Sequence, residues 1–376
     1  MRLLYICDAM AIRGGLERVI IEKANWLVEH EGYKVCLLTV NQGTHPVCFQ
    51  LHSDVLFNDL DIQFHQQYHL SFWRRLIKSR QLHHLFRKRM ASKIKEFAPN
   101  VIVCTRLDYL CDVLQVKGRI PLVFESHASR LATYFEGDGI LRRLHVRYLQ
   151  SAVKKAQMVV ALTEGDAVEW RKLTTNVCVI PNVVHLNESD SCSECTAKSV
   201  IFVGRFSKQK DIGNLLRIWN SVYQRHPDWS LHIYGGYGDE QEALLAEIRQ
   251  MNANIIVHEP TPDIVEKYKE SSILLLTSRY EPFGLVLPEA MSCGLPVVAY
   301  DCPYGPADII TDGEDGFLVP KQDNAAFTEK VSLLMDHQEL RIKMGTAGIE
   351  SSQRYDASKI MPLWENLFKH LANREL

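Results

Sequence analysis

The sequence alternates between short apolar segments and longer segments whose apolar residues recur at helical spacing. Residues 3–7 form a continuous apolar run, a loop with Gly14 and Gly15 follows, and residues 17–31 carry an apolar stripe at helical spacing. Residues 33–40 are the next apolar run. Continuous apolar runs are typical of strands buried on both faces, and a strand–helix–strand order is typical of a parallel sheet. The pattern therefore predicts a doubly wound α/β fold.

The same alternation occurs a second time after an interruption. Residues 185–199 are rich in Asn, Glu, Ser, Asp and Thr, which predicts a linker. We therefore expect two Rossmann-like domains, residues 1–184 and 198–356, which face a cleft and bind ligand outside the carboxyl ends of their strands. The amphipathic residues 357–376 are predicted to form a helix that packs back on the first domain. Further predicted strands are 101–104, 122–125, 158–163, 177–184, 199–203, 231–234, 255–257, 273–276, 296–299 and 316–319, and further predicted helices are 211–225 and 240–250.

Composition indicates a cytoplasmic protein. The ten cysteines are spread along the chain, several of them in apolar runs, which is typical of reduced thiols. Cys192 and Cys195 have no second ligand pair of the kind that a zinc site requires. No apolar run approaches the length of about 18 residues that a membrane span needs. The amino-terminal apolar stretch is also too short for a secretory signal.

Charge is divided unevenly between the two halves. Residues 1–183 hold 25 Lys and Arg against 17 Asp and Glu (+8), and residues 184–376 hold 18 against 28 (−10). Residues 71–95 combine many basic residues with an apolar stripe. Such a helix can make a peripheral contact with the inner face of a membrane. The alternative is an ordinary helix with one core face and one solvated face. No nucleic-acid-binding motif accompanies the basic residues, so we expect no nucleic-acid partner.

The strongest functional signal is the segment from Ser278 to Val298. It follows an apolar strand, and a helix is predicted to begin near Leu285 and to end before Gly294. The start of a helix offers free N–H groups to a phosphate, and a glycine at position 284 lets that phosphate approach the backbone. Glu281 and Glu289 can accept hydrogen bonds from sugar and ribose hydroxyls. The segment therefore predicts a site for a sugar diphosphate.

Two other segments support this prediction. Gly204 and Arg205 end a strand, and Lys210 follows. The two cations can neutralise a diphosphate and stabilise it as a leaving group. Glycines at 235–238 predict a turn that allows a ligand or another backbone to approach closely.

The second half resembles glycosyltransferase family 4, which has the GT-B fold. The resemblance is carried by Gly204-Arg205, Lys210, the glycine turn, Glu281 through Gly294, and Asp312-Gly313 with Gly316. The first half matches more weakly, through Gly14-Gly15, Glu125-Ser126-His127 and Ile180-Pro181-Asn182. The resemblance implies a retaining glycosyltransferase with its nucleotide-sugar donor held mainly by the second domain.

The resemblance also implies residue roles. His127, Arg205, Lys210 and Glu281 would lie at the reaction centre, where the two cations contact the diphosphate and Glu281 holds the transferred sugar. Glu289 would bind the ribose. The other implied donor-binding residues are Gly14, Gly15, Gly204, Gly235, Phe283, Gly284, Leu285 and Val286. The chain departs from the family at Asp211 and Pro282, where glycine is common, and the first departure puts the start of its helix in question.

The expected reaction forms an α-linkage and needs neither a metal nor another cofactor. Double displacement would require a carboxylate nucleophile, and the sequence singles out none, so we favour a front-face substitution. Asp59 and Asp61 match a DxD metal motif, but we expect a strand edge or turn there. UDP-linked hexoses or N-acetylhexosamines are the favoured donors and GDP-mannose the second, with a glycan or lipid-linked saccharide as acceptor.

The sequence leaves other functions open. A nicotinamide-dependent oxidoreductase would need a G-x-G-x-x-G fingerprint, and neither half has one. A nucleotide-sugar epimerase, a phosphorylase and a non-catalytic sugar-nucleotide-binding protein all fit the same fold.

Overall fold

A computed structural model describes residues 1–130, 140–189, 191–236 and 238–373. The chain divides into two compact units, residues 1–183 with 357–376, and residues 184–356. Residues 374–376 of the predicted carboxyl-terminal helix and Tyr237 of the predicted glycine turn lie outside the described residues.

The predicted linker belongs to the second unit. Ser193 donates its N–H to the carbonyl of Cys293, 2.8 Å away. Cys195 is buried, and its carbonyl accepts two hydrogen bonds from the Arg341 guanidinium, at 3.1 and 2.8 Å. These contacts explain why a polar stretch is not a free connection. Its backbone is satisfied by groups of the unit that follows it.

The first unit is built on a seven-stranded parallel sheet with strand order β3-β2-β1-β4-β5-β6-β7. Its strands are β1 (Arg2–Cys7), β2 (Lys34–Thr39), β3 (Leu56–Asp59), β4 (Val101–Cys104), β5 (Leu122–Glu125), β6 (Met158–Ala161) and β7 (Val177–Val179). Its helices are α1 (Gly15–Glu29), α2 (Phe72–Phe97), α3 (Leu107–Val116), α4 (Ile140–Val153), α5 (Glu164–Arg171) and the returning helix, which follows the whole second unit and is described below.

Both faces of this sheet are buried, as the continuous apolar runs predict. In β1, Leu3 and Tyr5 join one apolar cluster, whereas Leu4 and Ile6 join the cluster on the other face. Successive side chains of a strand point to opposite faces, so each face of β1 needs its own helical cover. Helix α2 covers the second of these faces only with its later turns, through Leu82, Phe86, Met90 and Ile94.

The second unit is a six-stranded parallel sheet with strand order β10-β9-β8-β11-β12-β13. Its strands are β8 (Ser199–Val203), β9 (Ser230–Tyr234), β10 (Ile255–His258), β11 (Ile273–Leu276), β12 (Val297–Asp301) and β13 (Gly316–Pro320). Its helices are α6 (Ile212–Tyr223), α7 (Gln241–Gln250), α8 (Ile264–Lys269), α9 (Val286–Ser292), α10 (Gly305–Ile309), α11 (Asn324–Asp336) and α12 (Gln338–Ser352).

The returning helix, α13 (Ala357–Asn373), packs on the first unit. Its buried residues join the apolar cluster that contains Ile20 and Ala24 of α1. The rings of Trp364 and Phe368 are in contact, tilted by 32° with their centroids 5.4 Å apart. The amphipathic pattern predicted this helix, and the contact with α1 gives its apolar face a partner.

Strand β3 is an element that the sequence pattern did not predict. Its burial is only partial, because it is the edge strand of the first sheet and has a neighbour on one side. Asp59, at its end, accepts hydrogen bonds from the Thr39 hydroxyl at 2.9 Å and from the Gly43 N–H at 3.1 Å. The first aspartate of the DxD segment therefore stabilises a strand edge and turn. In the part of the chain that the structure describes, no helix is both long and apolar enough to cross a membrane.

We expect Trp364→Ala to lower the free energy of unfolding by about 3–5 kcal/mol, because it leaves a cavity beneath α13. Urea unfolding measures this loss. Leu363→Ala is the matched control, since Leu363 is exposed on the same helix. Equal losses for the two variants would show that α13 does not close the first unit.

Candidate active site

The loop between β11 and α9 holds Glu281 in a fixed position. Its backbone N–H donates to the Pro303 carbonyl at 2.7 Å, and its carbonyl accepts from the N–H groups of Tyr304 and Gly305 at 2.8 and 2.9 Å. The Glu281 carboxylate accepts from the Ser278 hydroxyl and from the Lys210 ammonium, both at 2.6 Å. Two segments that are far apart in sequence therefore bring an anion and a cation together.

Gly284 makes the turn that separates Glu281 from α9. Its φ is +97°, in a region that side chains other than glycine rarely adopt. Leu285 then precedes the first helical residue, Val286, in agreement with the predicted start. Pro288 lies in the first turn of α9, where it costs little.

Glu289 has a partner that the sequence did not reveal. The hydroxyl of Tyr268, on α8, donates to Oε2 of Glu289 at 3.2 Å. Tyr268 is fully buried, so this contact holds the Glu289 carboxylate from the protein interior. No motif marks Tyr268, and only the folding of α8 beside α9 brings it near.

The glycines after β8 and β9 allow two loops to touch. A Cβ atom on Gly235 would lie 1.9 Å from the carbonyl oxygen of Gly204, a distance that no side chain can occupy. A Cβ atom on Gly204 would lie 3.2–3.3 Å from the side-chain carbons of Lys210. The predicted glycine turn thus serves close backbone approach, and Gly204 leaves room for Lys210 to reach Glu281. Arg205, the next residue, is exposed.

Asp211 lies at a position where the family commonly has glycine, and its backbone adopts a conformation that favours glycine. Its φ and ψ are 51° and 47°, in the left-handed region that aspartate tolerates better than most residues. Its carboxylate pairs with Arg279, with Nε 3.0 Å from Oδ2 and Nη2 3.1 Å from Oδ1. The ion pair with Arg279 thus holds the backbone in the required conformation, and the departure at Asp211 leaves the start of α6 intact.

The ring of Phe283 lies in the core, at 5.2 Å and nearly perpendicular to the ring of Tyr355. Only its backbone can therefore contact a donor. A Cβ atom on Gly305 would lie 1.8 Å from the Phe283 carbonyl oxygen, so this loop too depends on a glycine contact.

In the first unit, His127 lies next to a buried ion pair. Its Nε2 lies 2.9 Å from Oε1 of Glu125, and its side chain is 7% exposed. The Lys23 ammonium donates to the same carboxylate from α1. Trp364 covers Lys23, with its ring centre 4.0 Å from Nζ. The sequence predicted His127 but not Lys23 or Trp364.

Burial alone would raise the pKa of Glu125, but the Lys23 ammonium and His127 outweigh it and hold this pKa at about 2. The carboxylate is therefore charged at neutral pH and lies beside Nε2 of His127. Burial lowers the pKa of Lys23, and the Glu125 carboxylate opposes that shift.

The loop that carries His127 is anchored on α5. Asp166 accepts the Arg130 N–H at 2.8 Å and the Trp170 indole N–H at 2.9 Å. The Ser126 hydroxyl donates to the Ala128 carbonyl at 2.8 Å. Burial raises the pKa of Asp166 to about 6, although these hydrogen bonds oppose the shift. The residues on both sides of His127 are therefore fixed.

Gly14 and Gly15 follow β1, and His127 follows β5. Both strands belong to one parallel sheet, so all three residues lie at its carboxyl edge. Gly15 is the first residue of α1, and Gly14 precedes it with an extended backbone.

A cavity of about 640 Å³ in the second unit was not predicted. Tyr234, His258, Glu259 and Lys267 are among its lining residues. The rings of Tyr234 and His258 are stacked, with their centroids 4.3 Å apart. Among the described residues, no group of three His, Cys, Asp or Glu side chains is arranged to hold a metal ion. That the reaction needs no metal stays a prediction.

Two family models match the chain in succession. The model described as Glycosyltransferase Family 4 matches residues 13–188, and the model described as Glycosyl transferases group 1 matches residues 191–351. Together they cover most of the chain.

Curated relatives match over nearly the whole length. The amylovoran biosynthesis glycosyltransferase AmsD of Erwinia amylovora is 29% identical, covering 97% of this chain and 99% of its own. An uncharacterized glycosyltransferase of Haemophilus influenzae is 28% identical, covering 94% and 96%. Among solved structures, a variant of S. aureus TarM in complex with fondaparinux, α-GlcNAc-glycerol and UDP has a TM-score of 0.80 at 14% identity, covering 98% of this chain and 99% of that one. At this identity the structure supports the fold, two Rossmann-like domains of GT-B type.

We expect Lys23→Met to lower the free energy of unfolding at pH 7 by about 3–5 kcal/mol, because it leaves the Glu125 carboxylate buried without its cation. Lys23→Met with Glu125→Gln should cost less than the single change, since no uncompensated charge remains. Urea unfolding measures both. The exposed pair Lys198–Asp228 provides the control, and neutralising both of its members should have little effect.

The same buried ion pair predicts that the free energy of unfolding depends on pH. The pKa of Glu125 is depressed from 4.5 to about 2, so its stabilising contribution is present above pH 4.5 and is lost as pH falls towards 2. The loss should reach about 3 kcal/mol in the parent protein. It should be absent from the double variant, and an unchanged acid profile there would contradict the assignment.

Proposed function

Because the chain belongs to glycosyltransferase family 4 and has the GT-B fold, we propose that it transfers a sugar from a UDP-sugar to a glycan or lipid-linked saccharide. The transferred sugar would be a hexose or N-acetylhexosamine. The reaction would retain the anomeric configuration and give an α-linked product. GDP-mannose is the second candidate donor. The contact that carries the proposal is the Lys210 ammonium on the Glu281 carboxylate. A nucleotide-sugar has an anionic diphosphate directly beside sugar hydroxyls, and this pair offers a cation directly beside a hydrogen-bond acceptor.

The donor would lie along the carboxyl edge of the second sheet. Lys210 and the exposed Arg205 would contact the diphosphate, and Glu281 would hold hydroxyls of the transferred sugar. Glu289 would bind the ribose. Tyr268 links Glu289 to α8, and Lys267 of the same helix lines the 640 Å³ cavity. We infer that the nucleobase enters this cavity, where the Tyr234 and His258 rings supply an aromatic wall.

We infer a front-face substitution as the chemical step. The acceptor hydroxyl oxygen bonds to the anomeric carbon on the face from which the nucleoside diphosphate departs, and its proton passes to the departing phosphate oxygen. Arg205 and Lys210 would stabilise the charge that develops on that phosphate. His127, oriented by Glu125, would contact the transferred sugar. We also infer a cytoplasmic location, because all ten cysteines are free thiols.

The relatives favour transfer over the other chemistries that fit this fold. AmsD is described as a glycosyltransferase of amylovoran biosynthesis, which supports a polysaccharide or envelope glycan as acceptor. The structure of TarM contains UDP and α-GlcNAc-glycerol, which supports a UDP-sugar as donor and an α-linkage as product. Product analysis separates the remaining possibilities, since an epimerase returns a nucleotide-sugar and a phosphorylase returns a sugar phosphate.

We expect UDP, at a hundred times its dissociation constant, to stabilise the protein by about 2.7 kcal/mol. GDP at the same concentration should stabilise it much less. Thermal unfolding measures the effect. Glu289→Ala should weaken UDP binding at least tenfold, because a charge-assisted hydrogen bond to the ribose is lost. Glu247→Ala, on an exposed face of α7, is the control. Stabilisation by GDP alone would identify GDP-mannose as the favoured donor.

We expect Glu281→Gln to lower the rate of UDP release from UDP-sugars by about 10²–10³, while the affinity for UDP itself changes little. The carboxylate contacts the sugar in this proposal, so a nucleotide without sugar should not detect its loss. Initial rates and UDP titrations measure the two quantities. Glu314→Gln, at an exposed turn, is the control. A loss of UDP affinity equal to the loss of rate would place Glu281 at the nucleotide instead.

A further inference from the structure

The first two turns of α2 expose four large apolar side chains. Phe72, Trp73 and Ile77 are 71%, 72% and 58% exposed, and Leu76 is 39% exposed. The rings of Phe72 and Trp73 meet edge to face, with their centroids 5.2 Å apart. These four residues are called the Trp73 cluster below. A contiguous exposed cluster of this kind marks an interaction surface more often than isolated apolar residues do.

The Trp73 cluster overlaps the core face of α2 only in part. At about 100° per residue, Phe72 and Leu76 point in the directions of the core residues Met90 and Ile94. Trp73 and Ile77 point roughly 60° and 100° beyond the edge of that face. The later turns of α2 account for the contact between this helix and the sheet, and the cluster extends past it.

Cations flank the cluster, with Arg74 and Arg75 roughly 60° beyond its two sides and Lys78 on the opposite side of the helix. Arg74, Arg75, Lys78 and Arg80 lie in the same two to three turns, and residues 71–95 hold nine Lys and Arg with no Asp or Glu. The Arg75 guanidinium stacks over the exposed ring of Tyr68 at 5.2 Å. Within residues 1–130 and the other described ranges, none of these four cations forms an ion pair with a carboxylate. Their charge is therefore available to an anionic partner.

The cluster lies at the edge of the sheet that carries His127. Strand β3 ends at Asp59, and the Phe64 N–H then donates to the Asn41 side chain, just after β2, at 3.0 Å. Helix α2 therefore starts at the carboxyl edge of the first sheet and runs back towards its amino edge, where β4 begins. His127 follows β5 at the same carboxyl edge.

We propose that the Trp73 cluster and its flanking arginines form a docking surface for an anionic lipid bilayer. Aromatic and aliphatic side chains would enter the headgroup region, and the three arginines would contact lipid phosphates. A second copy of this chain is a poorer occupant, because symmetric pairing of this surface would bring six arginines together. The docking surface goes beyond the proposed sugar transfer, and its affinity for lipid does not depend on the donor.

Sedimentation of the full chain with vesicles tests the proposal. Vesicles of equal parts phosphatidylcholine and phosphatidylglycerol should bind the protein, and vesicles of phosphatidylcholine alone should not. Trp73→Ser with Ile77→Ser should lower the partition coefficient about tenfold or more. Arg74→Glu with Arg75→Glu should lower it similarly, and added salt should weaken binding of the parent.

Ile342→Ser and Lys343→Glu are the matched controls, since Ile342 is an apolar residue, 46% exposed, beside a cation on α12. Both should bind anionic vesicles like the parent. Equal binding by parent and cluster variants, or equal binding to neutral vesicles, would overturn the proposal. So would a cluster variant that loses self-association in sedimentation velocity without lipid. Stabilisation by UDP checks that each variant is folded, and a failure of UDP binding in the parent would affect only the sugar-transfer proposal.

Discussion

A single buried ammonium group organises the first unit. Lys23 of α1 contacts the carboxylate at the end of β5, lies beneath the ring of Trp364 and approaches the ring of Tyr5 in β1. A charge in this position is tolerated only because a carboxylate and two aromatic faces replace its water. The carboxylate in turn lies beside Nε2 of His127. The surroundings of a predicted reaction-centre residue thus depend on a helix more than two hundred residues further along the chain.

The second unit uses a different principle, which is close backbone contact at glycine. Gly235 meets Gly204, Gly305 meets Phe283, and Gly345 of α12 meets Gly294, each closer than any Cβ atom would permit. The first two contacts draw together loops that follow strands, and Gly204 leaves room for Lys210 to reach Glu281. Asp211 fits the same scheme without glycine, because its ion pair with Arg279 stabilises a left-handed backbone that its side chain disfavours.

The sequence predicted those parts of the structure that are local. The order of strands and helices and the start of α9 near Leu285 follow from apolar runs, glycine and proline within a few residues of each other. Lys23, Trp364, Tyr268 and Asp166 could not be found in this way. Each acts through a contact with a distant segment, and a lone lysine or tyrosine carries no periodic signal. The edge strand β3 was missed for a related reason, because its partial burial leaves no continuous apolar run. The glycine turn was predicted to admit a ligand or another backbone, and the structure shows the backbone contact, between Gly235 and Gly204. Donor binding by these two glycines stays a prediction.

The position of α13 in the chain has a consequence for biosynthesis. A ribosome must complete the entire second unit before residues 357–373 emerge, and domains generally fold in the order of their synthesis. Until then, Lys23 lacks the indole that covers it, and the face of α1 around Ala24 is open to solvent. The nascent first unit therefore lacks its last helix until the second unit has been synthesised. The loop that carries His127 acquires its final support only after the whole second unit has been synthesised, which gives the growing chain a fixed order of assembly.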